Sequence, residues 1–149
     1  MNIKNLKPKA NSRYKQGYVN SMKCKKLFDG LEYEKIIFRS SWEKTFIGWC
    51  EKNDKVYKWG SEPGCIEYYM PDGSKHHYYP DFQVVFTNGD KWLVEIKPYS
   101  QTQRPLYENS EEMKTYIKNR CKWSAAKKLC DSKGWKFIIL TEKTINRLI

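Results

Sequence analysis

Two acidic residues and a lysine form the group of side chains in this sequence with the clearest chemical use. Asp81 follows Pro80 at the start of an apolar run, and Glu95 and Lys97 lie fourteen and sixteen residues further on. Side chains alternate between the two faces of a β-strand, so a Glu-X-Lys segment presents both side chains on one face. Carboxylate oxygens bind hard divalent cations, and a nearby ammonium stabilises developing charge. The pattern therefore indicates metal-assisted hydrolysis of a phosphodiester.

A third carboxylate, that of Glu43, lies at the start of a predicted helix. Ser40 has the residue type of an N-cap, and Glu43 three positions later completes the pattern of a capping box. Trp42, Phe46 and Trp49 then recur at helical spacing. Glu43 falls on the edge of this apolar stripe. It is interpreted either as a helix cap or as a further ligand of the metal or of a metal-bound water, and the sequence leaves both open.

The other elements follow as short strands, a long helix, a strand and a short helix. The predicted strands cover residues 56–59, 65–70, 78–86, 91–97 and 135–140. The predicted helices cover residues 111–132, ending near Gly134, and 143–148. A polar loop over residues 98–109 contains Gln101 and Gln103, which we expect to line the approach of the substrate. The order predicts an α/β fold of the mixed α+β kind, with helices on a mixed sheet.

The hairpin around Asn88-Gly89 tests whether the acidic side chains share a face. A two-residue turn, which Asn-Gly favours, would pair Phe82 with Glu95 and turn Asp81 to the opposite face. Moving the register by one residue pairs Phe82 with Ile96 and places Asp81 opposite Lys97, because one slip moves every side chain together. We therefore predict a three-residue loop or a bulge near residues 88–90.

With that register, Asp81 and Glu95 are close enough to share a Mg²⁺ ion, and the Ile96 carbonyl is a possible additional ligand. Two adjacent carboxylates repel each other unless a cation lies between them. Lys97 can then position the attacking water or stabilise the charged transition state. No serine or cysteine with a neighbouring base is evident in the sequence, which favours direct hydrolysis over a covalent intermediate.

The charge of the chain favours a polyanionic partner. Its 149 residues contain 28 Lys plus Arg against 17 Asp plus Glu, a formal net charge of +11. Basic side chains neutralise phosphates and release counterions, and ribosomal and membrane-surface proteins share such a charge, so the charge alone does not identify the polyanion. Basic residues are dense before residue 31, and we divide the chain into a basic N-terminal arm, residues 1–37, and a folded domain, residues 38–149. The basic residues among residues 1–30 are Lys4, Lys7, Lys9, Arg13, Lys15, Lys23, Lys25 and Lys26.

Cysteine content and hydropathy bear on where the protein works. The five cysteines are an odd number without any Cys-X-X-Cys spacing, which is typical of free thiols in a reducing compartment. No apolar run approaches the ~20 residues of a membrane span, and the polar N-terminus lacks the apolar region of a signal peptide. We expect an intracellular protein with no membrane partner and no small-molecule cofactor.

These residues resemble the signature of the PD-(D/E)XK nuclease superfamily, carried here by Pro80-Asp81 and Glu95-Ile96-Lys97. The element order resembles the αβββαβ core of restriction-endonuclease-like folds. Several further stretches are similar to the head completion nucleases of T-even-type phages, which are related in pattern to the DNA-cutting subunit of transposases. They are residues 38–43, 58–63, 78–82, 94–98, 119–126 and 139–142.

The resemblance implies a catalytic set of Glu43, Asp81, Glu95 and Lys97, in which the three acids bind Mg²⁺ and Mn²⁺ substitutes for it. It further implies an endonuclease that acts on DNA ends late in phage head assembly. Portal, neck or capsid proteins would then be partners, and the host cytoplasm, or association with the virion, would be the location.

Two alternatives remain open at this point. The chain could be a DNA-binding or structural head protein that kept a nuclease fold without activity, or a nuclease of the transposase or repair type. The presence of all four site residues argues against the first alternative. Cleavage assays and DNA-structure specificity separate the two from the main hypothesis.

Overall fold

The structure, a computed structural model, describes residues 17–20, 24–28, 35–38 and 40–148. Most basic residues of the predicted arm, among them Lys4 to Lys15 and Lys23, lie outside the described residues. Two short strands of that region, β1 (Gly17–Asn20) and β2 (Lys35–Phe38), pair antiparallel. None of the helices in the described ranges is long and apolar enough to span a membrane. All five cysteines are free thiols.

The helices and strands from residue 41 onward follow the predicted order, except for one additional strand over residues 75–78. The helices are α1 (Ser41–Lys52), α2 (Glu111–Lys133) and α3 (Glu142–Ile145), with a 3₁₀ turn at Tyr99–Thr102. The strands are β3 (Val56–Ser61), β4 (Ile66–Tyr69), β5 (Lys75–Tyr78), β6 (Phe82–Phe86), β7 (Lys91–Ile96) and β8 (Lys136–Leu140). The predicted boundaries of α2 hold, since Gly134 ends it in the left-handed conformation at φ 72°. The last helix begins one residue earlier than predicted and is shorter.

A four-stranded mixed sheet in the order β3-β6-β7-β8 forms the centre of the domain. β6 runs antiparallel to both β3 and β7, whereas β8 runs parallel to β7. A parallel pair needs a crossover connection, and α2 provides it. The predicted α/β fold with a mixed sheet and flanking helices is therefore confirmed.

The predicted strand over residues 78–86 is wrong in one respect, because the chain breaks between Tyr78 and Phe82. Tyr78 ends β5, which pairs with β4 in a separate two-stranded sheet, whereas Phe82 begins β6 of the central sheet. Pro80 lies in the break and lacks the N–H that a continuous strand would use. Tyr78 and Phe82 therefore belong to different sheets.

The β6–β7 hairpin confirms the predicted three-residue loop but not the predicted pairing. Phe82 lies opposite Val94 rather than Ile96, two residues from the predicted register. The loop covers residues 87–89 and ends at Gly89, whose φ of 93° few other residues tolerate. Because the difference is two residues, every side chain keeps its predicted face. Continuing this register by one pair places Asp81 opposite Glu95 instead of Lys97.

Each face of the sheet carries its own apolar cluster. On one face α1 packs through Phe46, Ile47 and Cys50 against Phe82, Val84 and Val94. On the other face α2 and the β4–β5 hairpin enclose a second cluster, formed by Ile66, Tyr68, Tyr78, Leu93, Trp123, Ala126 and Cys130. The β6–β7 hairpin therefore lies between α1 on one face of the sheet and α2 on the other.

Residues 24–28 extend the sheet beyond β3. Trp59 on β3 donates its backbone N–H to the Lys26 carbonyl at 2.8 Å and accepts one from Phe28 at 3.0 Å. The Glu51 carboxylate accepts the backbone N–H of Lys25 at 2.7 Å and the indole N–H of Trp59 at 2.6 Å. This part of the chain is therefore attached to the folded domain by backbone and side-chain hydrogen bonds.

Candidate active site

Glu95 lies near the C-terminal end of β7, and Lys97 directly follows this strand. The Lys97 backbone N–H donates to the Leu140 carbonyl of β8 at 2.9 Å, which continues the parallel ladder past the last assigned strand residue. The Lys97 ammonium lies 3.6 Å from Oε1 of Glu95. Glu95 is 4% exposed, and Lys97 reaches further toward solvent. The two side chains meet as the Glu-X-Lys spacing predicts.

Asp81 reaches this strand end from the residue just before β6. Its Oδ2 accepts the backbone N–H of Ile96 at 2.7 Å, and its own carbonyl accepts the N–H of Glu62 at 2.8 Å. The acceptor oxygen thus contacts the peptide unit that joins Glu95 to Ile96. Asp81 is held between the end of β3 and the end of β7, and its side chain lies beside that of Glu95.

Glu43 approaches from the first turn of α1. The Ser40 hydroxyl accepts the backbone N–H of Glu43 at 3.2 Å, so the Ser40 cap is present as predicted. The Glu43 side chain is buried, with 8% exposure. It lines a cavity of about 190 Å³ together with Asp81, Lys97 and Gln101. The fold therefore brings Glu43, Asp81 and Lys97 to a common cavity, with Gln101 on its wall and Glu95 buried behind it.

The surroundings of Glu95 disfavour its negative charge. Burial is the largest cause that raises the pKa of the Glu95 carboxyl, the charge of Asp81 is the second, and together with the opposing groups they leave it at about 8. Lys97, the Tyr78 hydroxyl and Lys122 oppose this shift without cancelling it. Burial and the charge of Asp81 therefore outweigh the three groups that favour the ionised form of Glu95.

This imbalance bears on whether the residues suit a divalent cation. In the ranges described here, no three His, Cys, Asp or Glu side chains already lie close enough together to hold an ion. The available donors are nevertheless all oxygens, from Asp81, Glu95, Glu43 and the Ile96 carbonyl, and oxygens are what Mg²⁺ and Mn²⁺ prefer. A cation beside Asp81 and Glu95 would also relieve their repulsion. The donor set fits a hard divalent metal.

Tyr78 is a contact of the site that the sequence analysis missed. Its hydroxyl donates a hydrogen bond to Oε2 of Glu95, and the residue is 3% exposed. Its position two residues before Pro80 was the available signal. The sequence did not show that Tyr78 belongs to a separate hairpin, from which it reaches across to β7.

The basic residues of α2 differ in their relation to the site. Lys122 is half-buried, and its ammonium lies 5.6 Å from the centroid of the Tyr78 ring. Arg120 is exposed, and Lys127 forms an exposed ion pair with Asp131. Of these three, Lys122 is the one directed toward the carboxylates.

Comparisons with known proteins relate this site to nucleases. Residues 53–142 match the family described as TnsA-like endonuclease N terminal. The head completion nuclease of Enterobacteria phage T4 is 36% identical over 126 residues, which cover 77% of this chain and 84% of that protein. The family match contains Asp81, Glu95 and Lys97, whereas Glu43 precedes it. The resemblance to nucleases that the sequence indicated is confirmed.

Proposed function

The chain belongs to the TnsA-like endonuclease family, and we propose that it is a metal-dependent DNA endonuclease of phage head completion. The observation that carries the catalytic part is the meeting of Asp81, Glu95 and Lys97 at one strand end. Glu95 is buried, and burial together with the charge of Asp81 raises its pKa. A metal-dependent nuclease needs carboxylates and a cationic side chain at one place, because the metal must be bound where a phosphate can reach it.

In this proposal Asp81, Glu95 and Glu43 hold Mg²⁺, and Mn²⁺ substitutes for it. The bound metal would acidify a water and polarise the phosphate. The Ile96 N–H fixes Asp81 at 2.7 Å, so that little reorganisation of that side chain is needed on binding. Lys97, 3.6 Å from Glu95 and on the cavity wall, is placed to orient the attacking water or to stabilise negative charge on the phosphate.

DNA as the substrate is supported by charge as well as by the family. The net charge of +11 favours association with a polyanion, and it predicts a strong dependence of binding on salt concentration. The loop after Lys97 places Gln101 on the cavity wall, where it can contact the nucleotide that enters.

The role in phage assembly rests on the relative. The phage T4 protein is named head completion nuclease, and the alignment covers most of both chains. By this likeness the protein acts on DNA ends as heads mature, in the host cytoplasm, with portal, neck or capsid proteins as partners. Virion association belongs to the same proposal.

Plasmid nicking tests the catalytic proposal. Wild-type protein with Mg²⁺ or Mn²⁺ is expected to cleave supercoiled DNA, and EDTA is expected to stop it. Asp81→Ala should abolish cleavage, while its DNA affinity in EDTA stays within about twofold, since Asp81 repels rather than binds phosphate. Asp90→Ala, at an exposed position directly after the hairpin loop, is the matched control and should cleave normally. Folded wild-type protein that binds DNA but cleaves with neither metal would establish the non-catalytic alternative.

A further inference from the structure

Tyr78 links the β4–β5 hairpin to the proposed catalytic carboxylate. It is the last residue of β5, outside the central sheet, and its hydroxyl donates to Oε2 of Glu95 on β7. The other oxygen of Glu95, Oε1, lies 3.6 Å from the Lys97 ammonium. The two oxygens of one carboxylate therefore have different partners, one on each side.

This arrangement restricts the carboxylate group of Glu95. A glutamate side chain has three rotatable bonds, and fixing it costs up to about 2 kcal/mol of rotamer entropy. Two partners on different oxygens define both the position and the plane of the group. The Glu95 side chain has therefore already lost this rotamer entropy before any ligand binds.

The position of Tyr78 is set by packing rather than by the site. Its ring is buried in the cluster between the hairpin and α2, which includes Tyr68, Leu93 and Trp123. The Ile66–Tyr78 pair ends the β4–β5 ladder and fixes the backbone at that point. The hydroxyl consequently projects from a rigid support.

We infer that Tyr78 is a positioning residue, which orients Glu95 for metal binding through its hydroxyl and does not itself contact DNA. The inference rests on the proposed function, because it assigns Tyr78 a role in the same site. Hydrogen-bond partners of metal ligands typically contribute about 10- to 100-fold to metal affinity or activity.

Tyr78→Phe removes the hydroxyl and keeps the ring, and Mn²⁺ binding without DNA is the primary measurement. The Mn²⁺ dissociation constant is expected to rise by about 10-fold, and kcat for cleavage to fall by a similar factor. The KM for DNA should stay unchanged. Tyr68→Phe is the matched control, since Tyr68 is 2% exposed in the same cluster and its hydroxyl does not reach Glu95.

Equal Mn²⁺ affinity and equal kcat in Tyr78→Phe and Tyr68→Phe would overturn the inference. A loss of thermal stability in Tyr78→Phe without a change in Mn²⁺ affinity would also overturn it, because it would show a purely structural role. Failure of the proposed function looks different. In that case the wild-type protein would not cleave DNA, whereas the comparison of Mn²⁺ affinities would still decide the role of Tyr78.

A second, independent observation concerns Lys122. In the part of the chain that the structure describes, its ammonium makes no ion pair, although the residue is half-buried on α2. Burial lowers the pKa of Lys122, and the neighbouring Lys97 and Lys118 lower it further. Glu95 and Asp81 act on it more weakly in the opposite direction. Lys122 and Lys97 thus place two ammonium groups near the same pair of carboxylates.

The geometry points to Lys122 as a residue that contacts a backbone phosphate of the bound DNA. Its contact with the Tyr78 ring, 5.6 Å from ammonium to ring centroid, holds it at the edge of the site. The ammonium groups of Lys122 and Lys97 repel each other, and an anion bound between or beside them would offset this repulsion. A phosphate next to the one being cleaved has the required charge.

Lys122→Gln tests this contact by DNA binding in EDTA at several salt concentrations. Affinity is expected to fall about 5- to 10-fold, and the slope of log K against log salt to decrease by about 1. Mn²⁺ affinity should not weaken, which distinguishes this effect from that of Tyr78→Phe. Lys114→Gln is the control, with the same charge change at an exposed position of the same helix. Equal affinities and salt slopes in the two variants would overturn the assignment.

Discussion

Asp81 accepts a hydrogen bond from the backbone of Ile96, at 2.7 Å, so that one proposed metal ligand is fixed by the strand that carries the other. The bond sets the separation of the Asp81 and Glu95 side chains by backbone geometry. It also brings two carboxyl groups together, and burial together with the charge of Asp81 raises the pKa of Glu95 to about 8.

Glu95→Gln is expected to abolish cleavage and to stabilise the metal-free protein. The pKa of Glu95 is about 8 in the folded chain, above the value of about 4.3 for unfolded glutamate. The folded state therefore binds this proton more tightly, and stability decreases as pH rises from about 4.3 to about 8. Thermal unfolding in EDTA should show Glu95→Gln matching wild type near pH 5 and exceeding it by several degrees at pH 8.

An exposed carboxylate is the control for this pH effect. Glu67 forms a surface ion pair with Lys75 at 3.2 Å, and its side chain is 54% exposed. Glu67→Gln should not reproduce the rise in unfolding temperature at pH 8 that is expected of Glu95→Gln. A Glu95→Gln profile parallel to that of wild type would contradict the prediction.

Lys97→Gln is expected to lower kcat by about 100- to 1,000-fold, the usual loss when one charge-stabilising donor is removed. Single-turnover cleavage at saturating metal measures it. Lys97→Arg should recover little activity, because the larger planar guanidinium does not fit the position of an ammonium 3.6 Å from Glu95. Recovery to wild-type rates in Lys97→Arg would show that charge alone is required.

Glu43→Gln decides between the two interpretations of this residue. The helix cap uses the Glu43 backbone N–H and the Ser40 hydroxyl, so the substitution keeps that bond. If Glu43 contributes to the metal site, Mn²⁺ affinity and cleavage should both fall at least about 10-fold, with thermal stability unchanged. Normal cleavage together with a lower unfolding temperature would assign Glu43 to the helix end alone.

Glu51→Ala is expected to destabilise the fold by about 2–4 kcal/mol, because it leaves several donors without their acceptor. The carboxylate accepts backbone N–H groups of Lys25 and Lys26 and the indole N–H of buried Trp59. Urea unfolding measures the change. Glu108→Ala, which removes an exposed ion pair with Arg104, should cost less than about 1 kcal/mol.

Two glycines should respond to alanine in opposite directions. Gly89 closes the β6–β7 loop at φ 93°, and Gly89→Ala is expected to destabilise by about 1 kcal/mol or more. Gly48 lies within α1, with open space where a Cβ would be, and Gly48→Ala should stabilise by about 0.5–1 kcal/mol. If both substitutions changed the free energy of unfolding in the same direction relative to wild type, the described backbone conformations would be contradicted.

Much of the site was predictable because it depends on local rules. Strand periodicity placed Glu95 and Lys97 on one face, and the need for an apolar face in the hairpin placed Asp81 with them. The pairing itself was wrong by two residues, since both registers satisfy the same alternation. The conformation of Gly89 selected between them, and that choice depends on the exact loop positions.

Contacts between distant elements were beyond prediction. Residue type and spacing did not show that Tyr78 would leave the strand of Phe82 and pair with β4. Its bond to Glu95 depends on how the β4–β5 hairpin packs against α2, which is a property of the tertiary structure. The burial of Glu95, which is the largest cause of its raised pKa, follows from the same packing.

The strand-like pairing of residues 24–28 with β3 has a practical consequence for truncated forms of the protein. β3 is the outermost strand on its side of the central sheet, and Lys26 and Phe28 occupy its outward hydrogen-bonding groups. A fragment that begins at residue 38 would expose the edge of β3, and exposed edge strands pair with strands of other molecules. Such a fragment is expected to self-associate at high concentration, whereas a fragment that begins before residue 24 would retain its own cover.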